Sequence, residues 1–231
     1  MDTRDEPGHT NRQDLELNTM RITLIHALKH SIVPIEASFA RLWPQATLMN
    51  LVDDSLSADL ARDGRLTEAM TERFLSLGRY AASTGADAIL FTCSAFGPCI
   101  EAVARDRAPM PVLKPNEAMI EQAVLKGGRI GLLSSFPPTL ASMPAEFPRS
   151  LEVVPKLAEG AMAALDRGDR AEHDRLVSEA ARDLRDCDVI ALAQYSMAPA
   201  AALVGAASGR PVLTTPDSAV EKLKRLLGVV G

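Results

Sequence analysis

This sequence predicts an α/β fold of two pseudo-symmetric parallel-sheet lobes with a ligand cleft between them, and two observations carry that prediction. First, short apolar runs bounded by turn residues alternate with amphipathic stretches from residue 20 onward, the pattern of βα units that feed parallel sheets. Second, the chain repeats itself. Ala86-Asp87-Ala88-Ile89 matches Cys187-Asp188-Val189-Ile190 at a separation of 101 positions, and at that separation Pro98 falls on Pro199, Pro115 on Pro216 and Ala118 on Ala219. Pro111-Val112-Leu113 meets Pro211-Val212-Leu213 after a one-residue slip, and Arg21-Ile22-Thr23-Leu24 resembles Arg129-Ile130-Gly131-Leu132 at 108. In parallel α/β folds ligands gather beyond the carboxyl ends of the strands, so the strand-end residues are the ones to inspect.

Taken in order, Arg21–His26 reads as a strand ending on the polar cluster His26, Lys29, His30 and Ser31. Pro34 opens a helix whose apolar face is Ile35, Phe39, Leu42 and Trp43, and Pro44 stops it. Thr47–Val52 is a second strand running into Asp53-Asp54-Ser55. A long helix from about Thr67 carries Met70, Phe74, Leu77 and Ala81 on one face and takes Gly85 as its C-cap. Ala88–Phe91 is a buried strand, followed by a helix to about Arg107 and a Pro-bounded strand at Val112-Leu113. The second half begins with a helix to Lys126, stopped by Gly127-Gly128, and a strand at Arg129–Leu133. Pro137-Pro138-Thr139 starts a helical stretch, Leu151–Val154 is a strand, and Lys156 to Arg185 reads as mostly helical with a break at Gly168. Strands at Asp188–Leu192 and Pro211–Thr215 and a helix over Ser218–Leu227 close the chain. The first lobe is assigned to 20–115 plus 215–231 and the second to 116–214, after a flexible polar tail at 1–19.

Composition narrows the function classes. The 231 residues are 47% hydrophobic with a net charge of −5, enough apolar content for a real core and no basic footprint for nucleic acid. No apolar run approaches a membrane span, and residues 1–19 lack the apolar region of a signal peptide. The three cysteines, at 93, 99 and 187, form neither a CxxC nor paired spacings, which argues for reduced thiols and a cytoplasmic location, without zinc. His26 and His30 have the spacing of a metal pair on a helix but follow a strand end and lack a nearby carboxylate, so no metal is assigned. The mixed charges between Arg167 and Arg185 read as a solvated helix face with ion pairs.

The chemistry centres on Thr92-Cys93-Ser94, where a strand passes through a tight turn toward a helix that starts near Gly97-Pro98. Backbone N–H groups at such a helix start favour thiolate over thiol, so the Cys93 pKa is expected below its ordinary value of about 8.5. The competing reading is that Cys93 is a small buried hydrophobe.

These residues resemble the aspartate/glutamate/hydantoin racemase superfamily, the cofactor-independent group that includes arylmalonate decarboxylase and maleate isomerase. The resemblance spans Met20 to the end. It implies a strand-end thiol from each lobe, the two flanking the α-carbon of a carboxylate substrate. Thr92-Cys93-Ser94-Ala95 matches the first, Cys-Asn-Thr-like motif, which gives Cys93 the catalytic position and Ser94 a substrate-carboxylate contact. Ala193-Gln194-Tyr195-Ser196 matches the second, Gly-Cys-Thr-like motif, so Gln194 stands where the second thiol is expected. By the same resemblance His26, Thr92, Ser134, Ser135, Gln194, Tyr195 and Ser196 line the substrate site, no cofactor is needed, and a homo-oligomer is allowed. Cys187 precedes its strand and Cys99 lies inside a helix, so neither replaces the second thiol. His26, Lys29, His30 and Lys114 remain as candidates for a second acid/base, a lysine only if burial depresses its pKa. Three outcomes stay open: a racemase or isomerase working with one thiol, a single-thiol decarboxylase of a malonate-type diacid, and a carboxylate-binding protein without turnover.

Overall fold

A computed structural model describes the protein over residues 19–229, so the tail assigned to 1–19 lies, up to residue 18, outside the described residues. Sheet A contains β1 (Arg21–His26), β2 (Thr47–Val52), β3 (Ala88–Phe91) and β4 (Val112–Leu113), and sheet B contains β5 (Arg129–Ser134), β6 (Glu152–Leu157), β7 (Val189–Leu192) and β8 (Val212–Thr214). Both are parallel throughout and share one strand order, β2-β1-β3-β4 in A and β6-β5-β7-β8 in B. The helices are α1 (Ile32–Leu42), α2 (Ser55–Asp63), α3 (Glu68–Ser83), α4 (Gly97–Arg107), α5 (Glu117–Lys126), α6 (Pro137–Ser142), α7 (Ala161–Asp166), α8 (Arg170–Ala180), α9 (Ala201–Ser208) and α10 (Thr215–Leu226). Among the described residues no helix is long and apolar enough to cross a membrane.

The repeat seen in the sequence is a repeat of hydrogen bonds. Asp87 accepts the Arg21 N–H at 2.7 Å and Asp188 accepts the Arg129 N–H at 2.7 Å, each tying the start of a third strand to the start of a first. The Pro111 carbonyl accepts from Ile89 N and the Pro211 carbonyl from Ile190 N, both at 2.9 Å. At the far ends Thr92 N donates to Ile25 O at 3.0 Å and Ala193 N to Leu133 O at 2.9 Å. The same residue types are needed in both lobes because the same edge groups must be paired. Gly128 follows from this: its φ is +78°, and a Cβ there would stand 2.2 Å from Asp188 Oδ2, so the Asp188 contact leaves room only for glycine.

Period-two alternation sends each strand's side chains to two cores. From β1 and β3, Ile22, Leu24, Ala88 and Leu90 pack with Ile35, Phe39 and Trp43, while Ile25, Ile89 and Phe91 face Phe74 and Phe96. Phe74 stacks on Phe91 at 5.3 Å and meets Phe96 at 5.0 Å, a cluster that fixes α3 and the turn after β3. In sheet B, Leu133, Ile190 and Leu192 pack under Val177 and Val204, and Ile130, Leu132 and Ala191 under Met119 and Met143. Although α10 follows β8, its Ala219, Val220 and Leu223 are buried in the core of sheet A, and Asp217 accepts from Ser38 Oγ and Arg41 Nη2, each at 2.6 Å. The chain therefore crosses between sheets after β4 and again after β8.

Several expected elements need correction. Lys156 and Leu157 belong to β6 rather than to a helix, α1 begins at Ile32 ahead of Pro34, and α10 begins at Thr215. The helices α2 and α9 were not expected. Ala201-Ala-Leu-Val-Gly-Ala-Ala-Ser208 is apolar almost all round, so it carries no stripe for periodicity to find. Thr67 is the N-cap of α3 through a 3.2 Å bond from Met70 N, but the C-cap is Thr84, with Gly85 one position later at φ +83°.

Candidate active site

Cys93 and Gln194 are geometric counterparts. Each is the N-cap of a short 3-10 turn near a strand end, with extended backbone at φ −122°, ψ 122° and φ −137°, ψ 144°, and the turns run over 94–96 and 195–200. The 195–200 turn packs against α1 and against the Lys29–Ser31 segment. Ser31 Oγ lies 2.8 Å from Thr92 Oγ1, so Lys29–Ser31 links the Cys93 side of the first lobe to the Gln194 side of the second.

Cys93 is half-buried, and its thiol is pushed up from the ordinary value, not down as the sequence suggested. Burial pushes it up, and the Ala95 N–H, which favours the thiolate but makes no capping hydrogen bond to the sulfur, does not offset it. The residue opens a three-residue 3-10 turn, where a long helix would bring an aligned dipole. Cys99 and Cys187 are buried, Cys99 3.4 Å from Thr71 Oγ1 and Cys187 beneath sheet B beside Leu184.

Gln194 is clamped. Its Oε1 accepts from Ser135 N at 2.7 Å, from Ser134 Oγ at 2.9 Å and from Ser135 Oγ at 3.0 Å. A backbone N–H can only donate, so the oxygen must face the serines and the NH2 must face away. That NH2, like the hydroxyls of Ser94 and Ser196, has no hydrogen-bond partner among the described residues. Ser134 and Ser135, expected to touch a carboxylate, instead hold Gln194. Tyr195 is a clear correction: its ring is buried in the core of sheet A with Ile22 and Val220, and its hydroxyl donates to Pro115 O at 3.5 Å, so it ties the lobes together and offers nothing to a ligand. Arg170, missed by sequence reasoning, is half-buried at the first position of α8 and donates to Ser196 O at 2.8 Å. Its charge looked like part of a solvated face, and only the fold brings it to the second turn.

His26 is also corrected as a substrate contact. It is wholly buried, with Nδ1 2.8 Å from Thr92 Oγ1 and 3.0 Å from Ser31 Oγ, and Nε2 2.9 Å from Asn50 Oδ1. Thr92 is likewise turned inward to this cluster. Burial pushes the His26 pKa below the usual imidazole value, offset in part by Asn50 and by the Glu36 charge. The unfolded chain then takes the proton first as pH falls. The stability due to neutral His26 is complete above about pH 6.5 and is lost as pH drops toward the folded pKa. Urea midpoints measured from about pH 7 to 5 are expected to fall in the native protein and to fall less steeply in His26→Gln.

The other candidates for a second acid/base are paired: Lys29 with Asp54 at 3.0 Å, His30 with Asp166 at 3.5 Å and Lys114 with Glu101 at 2.8 Å. The Glu101 bond raises the Lys114 pKa, opposite to the depression that base catalysis requires. Among the described residues no three His, Cys, Asp or Glu side chains gather to hold a metal. A surface hollow of about 360 Å³ lies beside Asp53, Glu72 and Arg73, where Arg73 is already bonded to Asp53 and Asp59.

Solved structures of the same architecture are known. Aspartate racemase from Picrophilus torridus superposes with a TM-score of 0.69 at 14% identity, covering 90% of this chain and 94% of that one. Allantoin racemase from Klebsiella pneumoniae gives 0.62 at 18% identity over 91% and 89% of the two chains, and an arylmalonate decarboxylase variant gives 0.66 at 20% over 91% and 94%. At these identities the likeness is one of fold. No curated protein sequence matches. The family model for Asp/Glu/hydantoin racemases matches residues 34–223, which include both strand-end turns and the crossovers between sheets. The chain, with its twice-built sheet and its paired Cys93 and Gln194 turns, belongs to the Asp/Glu/hydantoin racemase family.

Proposed function

We propose that the protein is an enzyme of carbanion chemistry, making or protonating a carbanion at the α-carbon of a small carboxylate, an amino acid or a derivative, with Cys93 as its single thiol. It acts without PLP or metal, and the cytoplasmic location proposed with it accords with three unpaired cysteines. The observation that carries this reading is the clamped Gln194 in the position equivalent to Cys93. A glutamine neither gives nor takes a proton at neutral pH, so proton traffic runs through one lobe while the other offers a fixed donor. The Gln194 NH2 and the Ser94 and Ser196 hydroxyls hold the substrate carboxylate and the charge that builds on it in an enediolate-like transition state. Ser134 and Ser135 hold Gln194, and His26 and Thr92 hold the Cys93 turn. The lobe division proposed above, 20–115 plus 215–231 against 116–214, is supported by the packing of α10 on sheet A.

One-sided delivery suits protonation better than symmetric racemisation. A thiol raised by burial stays protonated at neutral pH and is ready to serve as an acid. For a malonate-type diacid, the C–C bond breaks with loss of CO2, its electron pair remains on the α-carbon as the enediolate, and the Cys93 S–H supplies the proton. The thiolate then recovers a proton from water. An arylmalonate decarboxylase stands among the structural neighbours. Incubating amino acids, hydantoins and substituted malonates with the protein in D2O, followed by NMR, is the test. Deuterium is expected at the α-carbon of one class, in one configuration. Turnover of a member of the panel without label at that carbon would refute the reading.

A further inference from the structure

His26 is wholly buried, and the direction of each hydrogen bond around it follows from one group that can only accept. The Glu36 carboxylate in α1 takes a 2.7 Å bond from Asn50 Nδ2, so the Asn50 amide points its nitrogen at Glu36 and its oxygen at His26. That Oδ1, 2.9 Å from His26 Nε2, can only accept, so Nε2 carries the imidazole proton. In the neutral ring Nδ1 is then a bare acceptor. It faces Thr92 Oγ1 at 2.8 Å and Ser31 Oγ at 3.0 Å, and these hydroxyls lie 2.8 Å from each other. Thr92 immediately precedes Cys93, and its own N–H is anchored on Ile25 O at 3.0 Å.

We propose that Glu36 and Asn50 fix His26 as the Nε2–H tautomer, and that all three act as positioning residues for the Cys93 turn through the Thr92 hydroxyl. A bare Nδ1 draws a hydroxyl proton inward and locks the Thr92 side chain, and with Thr92 N on Ile25 O this fixes the backbone from which the Cys93 sulfur projects. In the reversed tautomer Nδ1 would donate, and Thr92 would have to turn its proton to Ser31 or to Ile25 O, a long 3.4 Å contact. The network is asymmetric between the lobes: Ser134, which ends β5 as His26 ends β1, is instead given to Gln194. Lobe one is built to hold a reactive atom and lobe two to hold a donor.

The tautomer is independent of any substrate. Its consequence rests on the reading of Cys93 as the working thiol. The test uses 15N-labelled full-length protein, with the His26 resonances assigned by their loss in His26→Gln. The native protein is expected to show a pyrrole-type Nε2 and a pyridine-type Nδ1. Glu36→Gln preserves size and hydrogen bonding but lets the Asn50 amide face either way. It is expected to give a mixture of tautomers, to leave the melting temperature within about 2 °C, and to slow iodoacetamide alkylation of Cys93 by about fivefold. Glu36→Asp keeps an acceptor-only group and is expected to restore both the native tautomer and the native rate. A protonated Nδ1 in the native protein overturns the proposal, as does a Glu36→Gln protein whose tautomer or alkylation rate is unchanged. None of these readings needs turnover, so failure to find a labelled substrate would count against the proposed enzyme and not against this network.

Discussion

Replacing Cys93 with alanine is expected to lower kcat on the true substrate by about 10²- to 10⁴-fold, the worth of one positioned proton donor, and to abolish solvent deuterium incorporation at the α-carbon. The loss should be chemical and not structural. Cys93 is half-buried at a strand end, on the rim of the core that holds Phe74, Phe91 and Phe96, and its truncation is expected to cost about 1 kcal/mol of stability. Cys93→Ser should be nearly as inactive, because a hydroxyl is a far weaker acid than a thiol and no capping hydrogen bond waits for the anion that would form. Cys99→Ala is the control. Its sulfur is sealed beside Thr71 in the first core, so stability should fall while kcat stays near the native value. If Cys93→Ala retained deuterium exchange, the carbanion would be protonated elsewhere, and Cys93 would lose its role as the acid.

The features legible in the sequence are those fixed by local covalent pattern. Asp87 and Asp188, with Pro111 and Pro211, announced the doubled fold because each occupies a main-chain bonding position that recurs once per lobe. Cys93 and Gln194 were legible as counterparts for the same reason. What was not legible depends on the partners that tertiary packing supplies. Nothing in Ser134-Ser135 reveals that both hydroxyls and an N–H converge on a glutamine 59 and 60 residues away. The sign of the Cys93 shift was misread because a motif displays the N–H that lowers a thiol pKa but not the burial that raises it. Tyr195 was misread as a ligand hydroxyl since a strand-end tyrosine and a core tyrosine look alike in sequence. Its place beside Pro115 follows from how the two lobes dock.

Gln194→Glu should separate the two tasks of that side chain. A glutamate there keeps an oxygen for the bonds from Ser135 N, Ser134 Oγ and Ser135 Oγ, and those bonds hold it ionised at neutral pH. The fold should therefore be retained, with a melting temperature unchanged or a few degrees higher, roughly as a charge-assisted bond replaces a neutral one. The second oxygen, however, replaces the NH2, so a donor becomes an acceptor carrying part of a negative charge. It would face the substrate carboxylate and the enediolate charge, and kcat/KM is expected to fall by about 10²- to 10³-fold, as when an oxyanion donor is removed. Gln194→Ala makes the complementary change: it removes the donor and also strands the Ser135 N–H and hydroxyl, while Ser134 Oγ keeps Phe136 O at 3.1 Å, so stability should drop by about 1–3 kcal/mol along with activity. If Gln194 both anchors the second turn and grips the substrate, kcat/KM thus falls in both variants while thermal melts separate them, only Gln194→Ala losing stability. A Gln194→Glu enzyme with native kcat/KM would mean that the amide nitrogen faces only water, and the second lobe would then lose its part in the reaction.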